Sequence, residues 1–231
     1  MIKLEKTDVF GWESAIRGMR NPMNSWDKSD SLREGCSQTP KCYMSNRFYI
    51  GENDLKLMKN LSKAGSDHGK FLRMINVTVD ITAPLYWWKE FDTYKVGTVA
   101  NSCSTMHKIH GKEFTLEDFS CEHLLNDWNA VNDYGAYTYA GNIVAEEVLN
   151  IVAEALNFYR KRFLETKDKK YWWQMIQLLP SSYNQKRTVQ LNYQVLKSMY
   201  FARKNHKLDE WREFCAWCET LPYFKEICID E

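Results

Sequence analysis

Long apolar runs are missing from this chain of 231 residues, and no segment reads as a membrane-spanning helix. The amino-terminal stretch MIKLEKTDVFGWES lacks the apolar core of a signal peptide, so a soluble, cytoplasmic protein is expected. Charge of one sign is missing too. The balance of 31 basic against 30 acidic residues excludes a grip on nucleic acid by bulk electrostatics and leaves room for a local basic pocket. Only five prolines and ten glycines occur, which speaks against a disordered or low-complexity chain. The seven cysteines, at 36, 42, 103, 121, 215, 218 and 228, are odd in number and scattered. They form no disulfide framework, and reduced thiols are the expected state. Neither a glycine-rich phosphate loop nor a G-x-S-x-G elbow is present, which disfavours a P-loop enzyme, a dinucleotide fold and a serine hydrolase.

Aromatic residues are plentiful: nine Trp, thirteen Tyr and eleven Phe suit one well-packed domain of residues 1–231. Residues 2–4 read as a short strand, followed by a helix carrying Trp12, Ala15, Ile16 and Met19. Residues 21–50 are polar and turn-rich, the pattern of a long loop or flap. Asn53 or Asp54 is placed to cap a helix that Ala64-Gly65 closes. Residues 74–81 (MINVTVDI) alternate and form the clearest strand. Pro84 suits the first turn of an aromatic helix, residues 96–112 are loop-like, and a helix is expected from Leu116. A long helix spans about 140–165, with one apolar stripe at 143, 144, 148, 151, 152, 155, 156 and 159. Helices follow at 171–179, 189–203 and 208–219, and residues 108–140 read as an insertion. The balance is α+β with helices dominating.

Several groups of residues invite a chemical reading. Cys215 and Cys218 form a lone C-x-x-C on a helix, weak for zinc and off the strand-to-helix junction a redox dithiol uses. His107, His110, His123, Cys103 and Cys121 meet no standard metal spacing. Glu146/Glu147 and Asp209/Glu210 suit solvated helix faces. Tyr86-Trp87-Trp88 and Tyr171-Trp172-Trp173 suit a helix interface, or stacking on a heterocycle. The segment from Leu178 to Trp211 is the most informative. Its Leu179-Pro180 pair stops one helix, a polar turn follows, and Asn192 and Arg203 lie eleven residues apart on the next. Eleven residues are about three turns, so the two project from nearly one face, a suitable wall for an anion or nucleotide pocket.

On that block the chain resembles the flavin-dependent thymidylate synthases, the thymidylate synthase-complementing family, whose pattern runs Asn-x-Arg-x-Leu and then Arg with the same gap. Asn192, Leu196 and Arg203 match, and Gln194 stands where the family has its middle Arg. The likeness extends over roughly 53–212. His68 takes the family's flavin-segment His, residues 77–81 its strand, and Ser102 its nucleotide-contacting Ser, with Ser104 in place of the next Arg. Asp92-Thr93-Tyr94 falls on the family's Arg-His-Arg, and Ile176 on a phosphate-directed Arg. Lys95 is the nearby replacement cation, with Lys186, Arg187, Lys204 and Lys207 as further compensating candidates. The resemblance implies a twisted antiparallel sheet flanked by helices and a homotetramer with sites between subunits. It also implies reductive methylation of dUMP to dTMP with FAD, methylenetetrahydrofolate and NADPH, needing no amino-acid nucleophile. By the same resemblance His68, Asn192 and Gln194 would touch the flavin, and Ser102, Ser104, Arg203 and Lys95 the nucleotide, with Ser102 positioning the substrate. Two alternatives stay open: another pyrimidine nucleotide as substrate, or a nucleotide-binding or assembly protein without flavin chemistry.

Overall fold

In a computed structural model of the protein, residues 2–33, 48–126, 136–138 and 141–230 are described. The expectation of a flap over 21–50 falls partly outside them, at 34–47, as do Cys36 and Cys42. The observed class is α+β, helix-dominated, as expected. Its four-stranded antiparallel sheet has the order β1-β4-β8-β5, with β1 at Lys3–Phe10, β4 at Asn76–Pro84, β5 at Val99–Ser102 and β8 at Asn184–Asn192. Short pairs β2–β3 (Leu32–Arg33 with Phe48–Tyr49) and β6–β7 (Ala136–Thr138 with Gly141–Ile143) complete the strands. The helices are α1 (Trp12–Arg20), α2 (Glu52–Lys63), α3 (Leu85–Phe91), α4 (Ala145–Thr166), α5 (Lys169–Leu178), α6 (Tyr193–Arg203) and α7 (Asp209–Thr220).

The chain forms two compact units. The first comprises Met1–Lys3, Ile81–Thr93 and Asn101–Arg187, and the second Leu4–Asp80, Tyr94–Ala100 and Thr188–Glu231. In the first unit, α4 packs along α5. Leu149, Ala153, Leu156 and Met175 meet Ile109, Phe114 and Phe119 there. Trp87, Trp88 and Phe91 of α3 are also fully enclosed, with ring centroids 4.9–5.1 Å apart, so this aromatic triplet is core. The buried stripe of α4 is offset from the expected one. Of the expected positions, Val144 and Leu156 are buried, and Val152 and Tyr159 pack against the core. Val148 and Ile151 are 46% and 54% exposed, as is Phe158 at 58%, because Leu149–Ala153–Leu156 is the buried face.

The second unit wraps α1, α2, α6 and α7 around a core containing Trp12, Met58, Phe71, Tyr193, Trp211 and Phe214. Strand β4 behaves as its alternation predicts, with Val77 and Val79 buried on one face. Other expectations need correction. Residues 184–192 are a strand, so the helix read over 189–203 begins only at Tyr193. Leu116 opens one 3-10 turn, not a helix, because Asp118 folds back to accept from the Thr115 amide. Pro84 is the cap of α3 and not a first-turn residue. Residues 96–112, read as loop, contain β5.

Asn53 and Asp54 lie inside α2. The Asp30 carboxylate, 23 residues upstream, accepts from the Asn53 and Asp54 amides at 2.9 and 3.1 Å and caps the helix from a distance. Asp54 is then released for another task. Fully buried, it accepts from Arg20 Nε at 2.6 Å, Ser29 Oγ at 2.7 Å and Ser31 Oγ at 2.6 Å. Arg20 also donates to the carbonyls of Ser25 and Lys28, which pins residues 25–31 against α1 and α2. Burial alone would raise the Asp54 pKa, but the hydrogen bonds from Ser31, Ser29 and Arg20 outweigh it and hold the carboxyl below its ordinary value.

Asp54→Asn leaves a buried guanidinium without its counter-charge, and chemical denaturation should show a loss of about 3–5 kcal/mol. Because the native pKa is depressed, this contribution is present above the usual carboxylate range and disappears as pH falls through the native value. The thiols of Cys215, Cys218 and Cys228 act at the opposite end of the scale. Burial raises all three, to about 11 for Cys215 and about 12 for Cys228. The unfolded thiols ionise near 9, so stability held below that pH declines as pH rises towards 11–12. Mass-spectrometric mapping after brief iodoacetamide treatment should find Cys103 labelled and Cys215, Cys218 and Cys228 protected until denaturant is added.

Candidate functional site

The sequence-expected residues separate between the units: His68, Lys95, Asn192, Gln194 and Arg203 belong to the second, Ser102 and Ser104 to the first. In the second unit β8 passes into α6 at Asn192. Its side chain accepts from the Val195 amide at 3.1 Å, while the Tyr193 amide donates to the Ile75 carbonyl at 3.0 Å. Asn192 is therefore the N-cap of α6 and Arg203 its last residue, about 16 Å apart along the axis. The expected spacing of about three turns thus spans the whole helix, with Asn192 at its cap and not within it.

The loop beside this cap fits closely. Gly97 has φ +79°, and a Cβ there would come within 3.1 Å of Asn192 Nδ2 and Val195 Cγ2. Lys95, two residues earlier, is exposed. Gln194 Oε1 lies 3.6 Å from where a Cβ on Gly69 would sit, so it borders the exposed His68 that opens the turn Gly69–Arg73. Asn192, Gln194 and His68 thus gather around the start of α6. Their amide and imidazole groups fit the hydrogen-bonding edge of a flavin ring; the three include no fixed cation for its pyrophosphate.

At the far end of α6, Arg203 donates from Nε to the Tyr94 hydroxyl at 2.9 Å. Its guanidinium carbon lies 4.9 Å from the Trp211 ring centroid and 5.6 Å from that of Tyr94. Stacking of this kind is worth about 0.5–2 kcal/mol and fixes the plane of the guanidinium. Tyr94 occupies a position that the sequence resemblance gives to a cation, and there it orients one instead.

The first unit rearranges charge more thoroughly. Arg187 lies over Trp88 at 4.1 Å, donates from Nη1 to Asp92 at 2.8 Å and from Nε to Gln185 at 3.0 Å. Buried Gln185 donates onward to the Cys103 carbonyl at 2.7 Å, and the Cys103 amide donates to the Lys186 carbonyl at 2.9 Å. Asp92, Arg187 and Gln185 therefore clamp the segment carrying Ser102 and Ser104. Ser102 is exposed at the end of β5, while Ser104 Oγ accepts from the amides of Met106 and His107 at 3.2 and 2.9 Å. Ile176 packs into the α4–α5 core, so no cation is supplied from that position.

This segment borders a cavity of about 580 Å³ lying wholly within the first unit. Ser104, Thr105, Ile109, Phe114 and Tyr183 form part of its wall, and Lys3, Lys108, Lys112 and Lys186 bring four amines to it. Its acids are Glu117 and Asp118, and Asp118 is paired with Lys112, whose pKa the pairing raises. Among the compensating candidates, Lys186 reaches this cavity, Arg187 is engaged by Asp92, and Lys204 and Lys207 are exposed. The lysines at 3, 108 and 112 escaped the sequence reading. Lys3 is more than a hundred residues from the other two, and no local spacing announces their meeting.

The remaining candidates resolve simply. Among the described residues no three His, Cys, Asp or Glu side chains are placed to hold a metal ion. His110 packs edge-on against Phe163 at 4.9 Å, and Cys215 and Cys218 are core. No helix among the described residues is long and apolar enough to cross a membrane.

No protein-family model matches the chain, and no curated protein matches it in sequence. Solved structures do. Thymidylate synthase X (ThyX) from Helicobacter pylori, solved with FAD and dUMP, superposes with a TM-score of 0.64 at 16% identity, covering 100% of this chain and 98% of that one. The UMP/dUMP methylase PolB from Streptomyces cacaoi, bound to 5-Br dUMP, gives 0.57 at 14% identity, over 98% and 93% of the two chains. The fold of this protein is the ThyX-like α+β fold from end to end.

Proposed function

We propose that residues 1–231 act as a single flavin-dependent thymidylate synthase-like domain that methylates a pyrimidine nucleotide reductively, dUMP to dTMP. The observation that carries this reading is the end-to-end likeness of fold to proteins solved with FAD and dUMP, or with a dUMP analogue. Retention of Asn192 and Arg203 at the two ends of α6 supports it.

In this reading Arg203, its plane fixed by Tyr94 and Trp211, donates to the carbonyl edge of the pyrimidine. Ser104, with its lone pairs engaged by two amides, keeps its proton for donation to an anionic oxygen. Ser102 and Lys95, each exposed in its own unit, are the further nucleotide-contacting candidates. His68, Asn192 and Gln194 would hold the flavin. When bound, the flavin supplies the redox relay between NADPH and the carbon of methylenetetrahydrofolate. The apolar face of α4 at Val148, Ile151 and Phe158 supports assembly of several copies, and we read the protein as a homotetramer.

A second reading is methylation of another pyrimidine nucleotide, such as UMP. The likeness to a UMP/dUMP methylase and the changed cation set at residues 92–104 favour it.

Purified protein mixed with FAD should develop flavin absorbance that survives gel filtration, and should oxidise NADPH faster when dUMP is present. Protein that fails to retain FAD contradicts the reading, and stimulation by UMP in preference to dUMP selects the second. Arg203→Ala should weaken dUMP binding tenfold or more, about 1.4 kcal/mol, while the protein still melts cooperatively; unchanged affinity removes Arg203 from the site.

A further inference from the structure

We propose that the exposed face of α4 docks onto the same face of a second copy of this chain, the two helices running antiparallel about a two-fold axis between Ile151 and Ala155. The inference rests on the reading of the protein as an assembly of identical copies. None of its residues belongs to the candidate flavin or nucleotide set.

Helix α4 has two apolar faces. Leu149, Ala153 and Leu156 are buried in one cluster with Phe119 and Met175 of the same unit. Val148, Ile151 and Phe158 are exposed, with the half-buried Ala155 between them. At about 100° per residue the two faces lie on nearly opposite sides of the helix. An ordinary surface helix carries a single apolar stripe with polar residues opposite it, so the second stripe is the one that needs explaining. Its positions, 148, 151, 155 and 158, advance by three, four and three residues. That is the seam along which two helices bury against each other.

Size selects the orientation. In an antiparallel pair, setting Ile151 against the partner's Ala155 also sets Phe158 against the partner's Val148. Each layer then joins a larger side chain to a smaller one, the condition for an interdigitated contact. A parallel pair would oppose Phe158 to its own copy and Ala155 to its own copy, crowding one layer and emptying the other.

Charge selects it independently. The charged residues of the first half of α4 are Glu146, Glu147 and Glu154, all acidic, and Arg160, Lys161 and Arg162 follow in the second half. Glu165 takes Arg162 at 2.9 Å. Arg160 donates to a neutral group, the His110 carbonyl, and keeps its charge, while Lys161 is exposed. Glu147 and Lys161 are two heptads apart, so they lie on one flank of the stripe. Antiparallel pairing lays the acidic start of each helix beside the basic end of the other, twice over, and opposes the two helix dipoles. Parallel pairing lays like beside like. A two-fold contact of this kind closes on itself and adds one copy per face.

Light scattering after gel filtration and disulfide mapping of the full chain test this. Wild type should have the mass of an even number of chains, and Ile151→Asp, which puts a carboxylate into the seam, should halve that mass. In the Val148→Cys/Phe158→Cys double variant, mild oxidation should give a covalent dimer in which position 148 of one chain is joined to position 158 of the other. Within one chain these positions are about 15 Å apart along the axis, beyond the reach of a disulfide, so such a link can only join two copies. Links of 148 to 148 and 158 to 158 show a parallel pair and overturn the inference. An assembly that keeps its full mass in Ile151→Asp and forms no link at these positions also overturns it, and leaves the assembly reading standing. A monomeric wild type overturns both. Circular dichroism of Ile151→Asp confirms that lost assembly is not lost folding, and if that variant unfolds the cross-link alone decides.

Discussion

The junction between β8 and α6 is the constraint around which the candidate site is arranged. A strand ends and a helix begins at one residue, and the first amides of the helix need acceptors there. Asn192 supplies one through its side chain and the Ile75 carbonyl supplies another. With those donors satisfied, α6 starts at Tyr193 and ends at Arg203, against Tyr94 and Trp211. Moving the start of the helix by one residue would rotate Arg203 by about 100° and take it from both rings. The Asn is therefore a structural requirement before it is a ligand contact, and the two roles are compatible because its Nδ2 is distinct from the capping oxygen.

Around this junction the charged groups are held by specific partners. Asp92 stands at a helix end and binds Arg187 from β8, converting a pair of ions into a clamp on the Ser102–Ser104 segment. Tyr94 orients Arg203 where a second cation would repel it. Ile176 packs against the α4–α5 core, where an apolar side chain is the cheaper occupant of a half-buried position. Lys3, Lys108, Lys112 and Lys186 line the cavity of the first unit. The fold is the one shared with structures solved with dUMP or its analogue, and the arrangement of charges is this chain's own.

Much of the fold was legible because its signals are local. The alternation in β4, the stripe of α1 and the Leu179-Pro180 stop are read from a few adjacent residues. Strand β8 was missed because NQKRTVQLN places a glutamine at a buried position, so its period of two is hidden from a hydrophobicity reading. The α2 cap was misplaced for a similar reason: Asp30 reaches it across 23 residues. In the site, Asn192 and Arg203 were found by spacing on one helix. Lys3, Lys108 and Lys112 were not, since only tertiary structure brings Lys3 to the other two.

The central claim is that this chain of ThyX-like fold takes a pyrimidine nucleotide through Arg203. A co-crystal structure with FAD and dUMP tests it most directly. The account predicts the pyrimidine within hydrogen-bonding distance of the Arg203 guanidinium. A dUMP held away from Arg203 would contradict it.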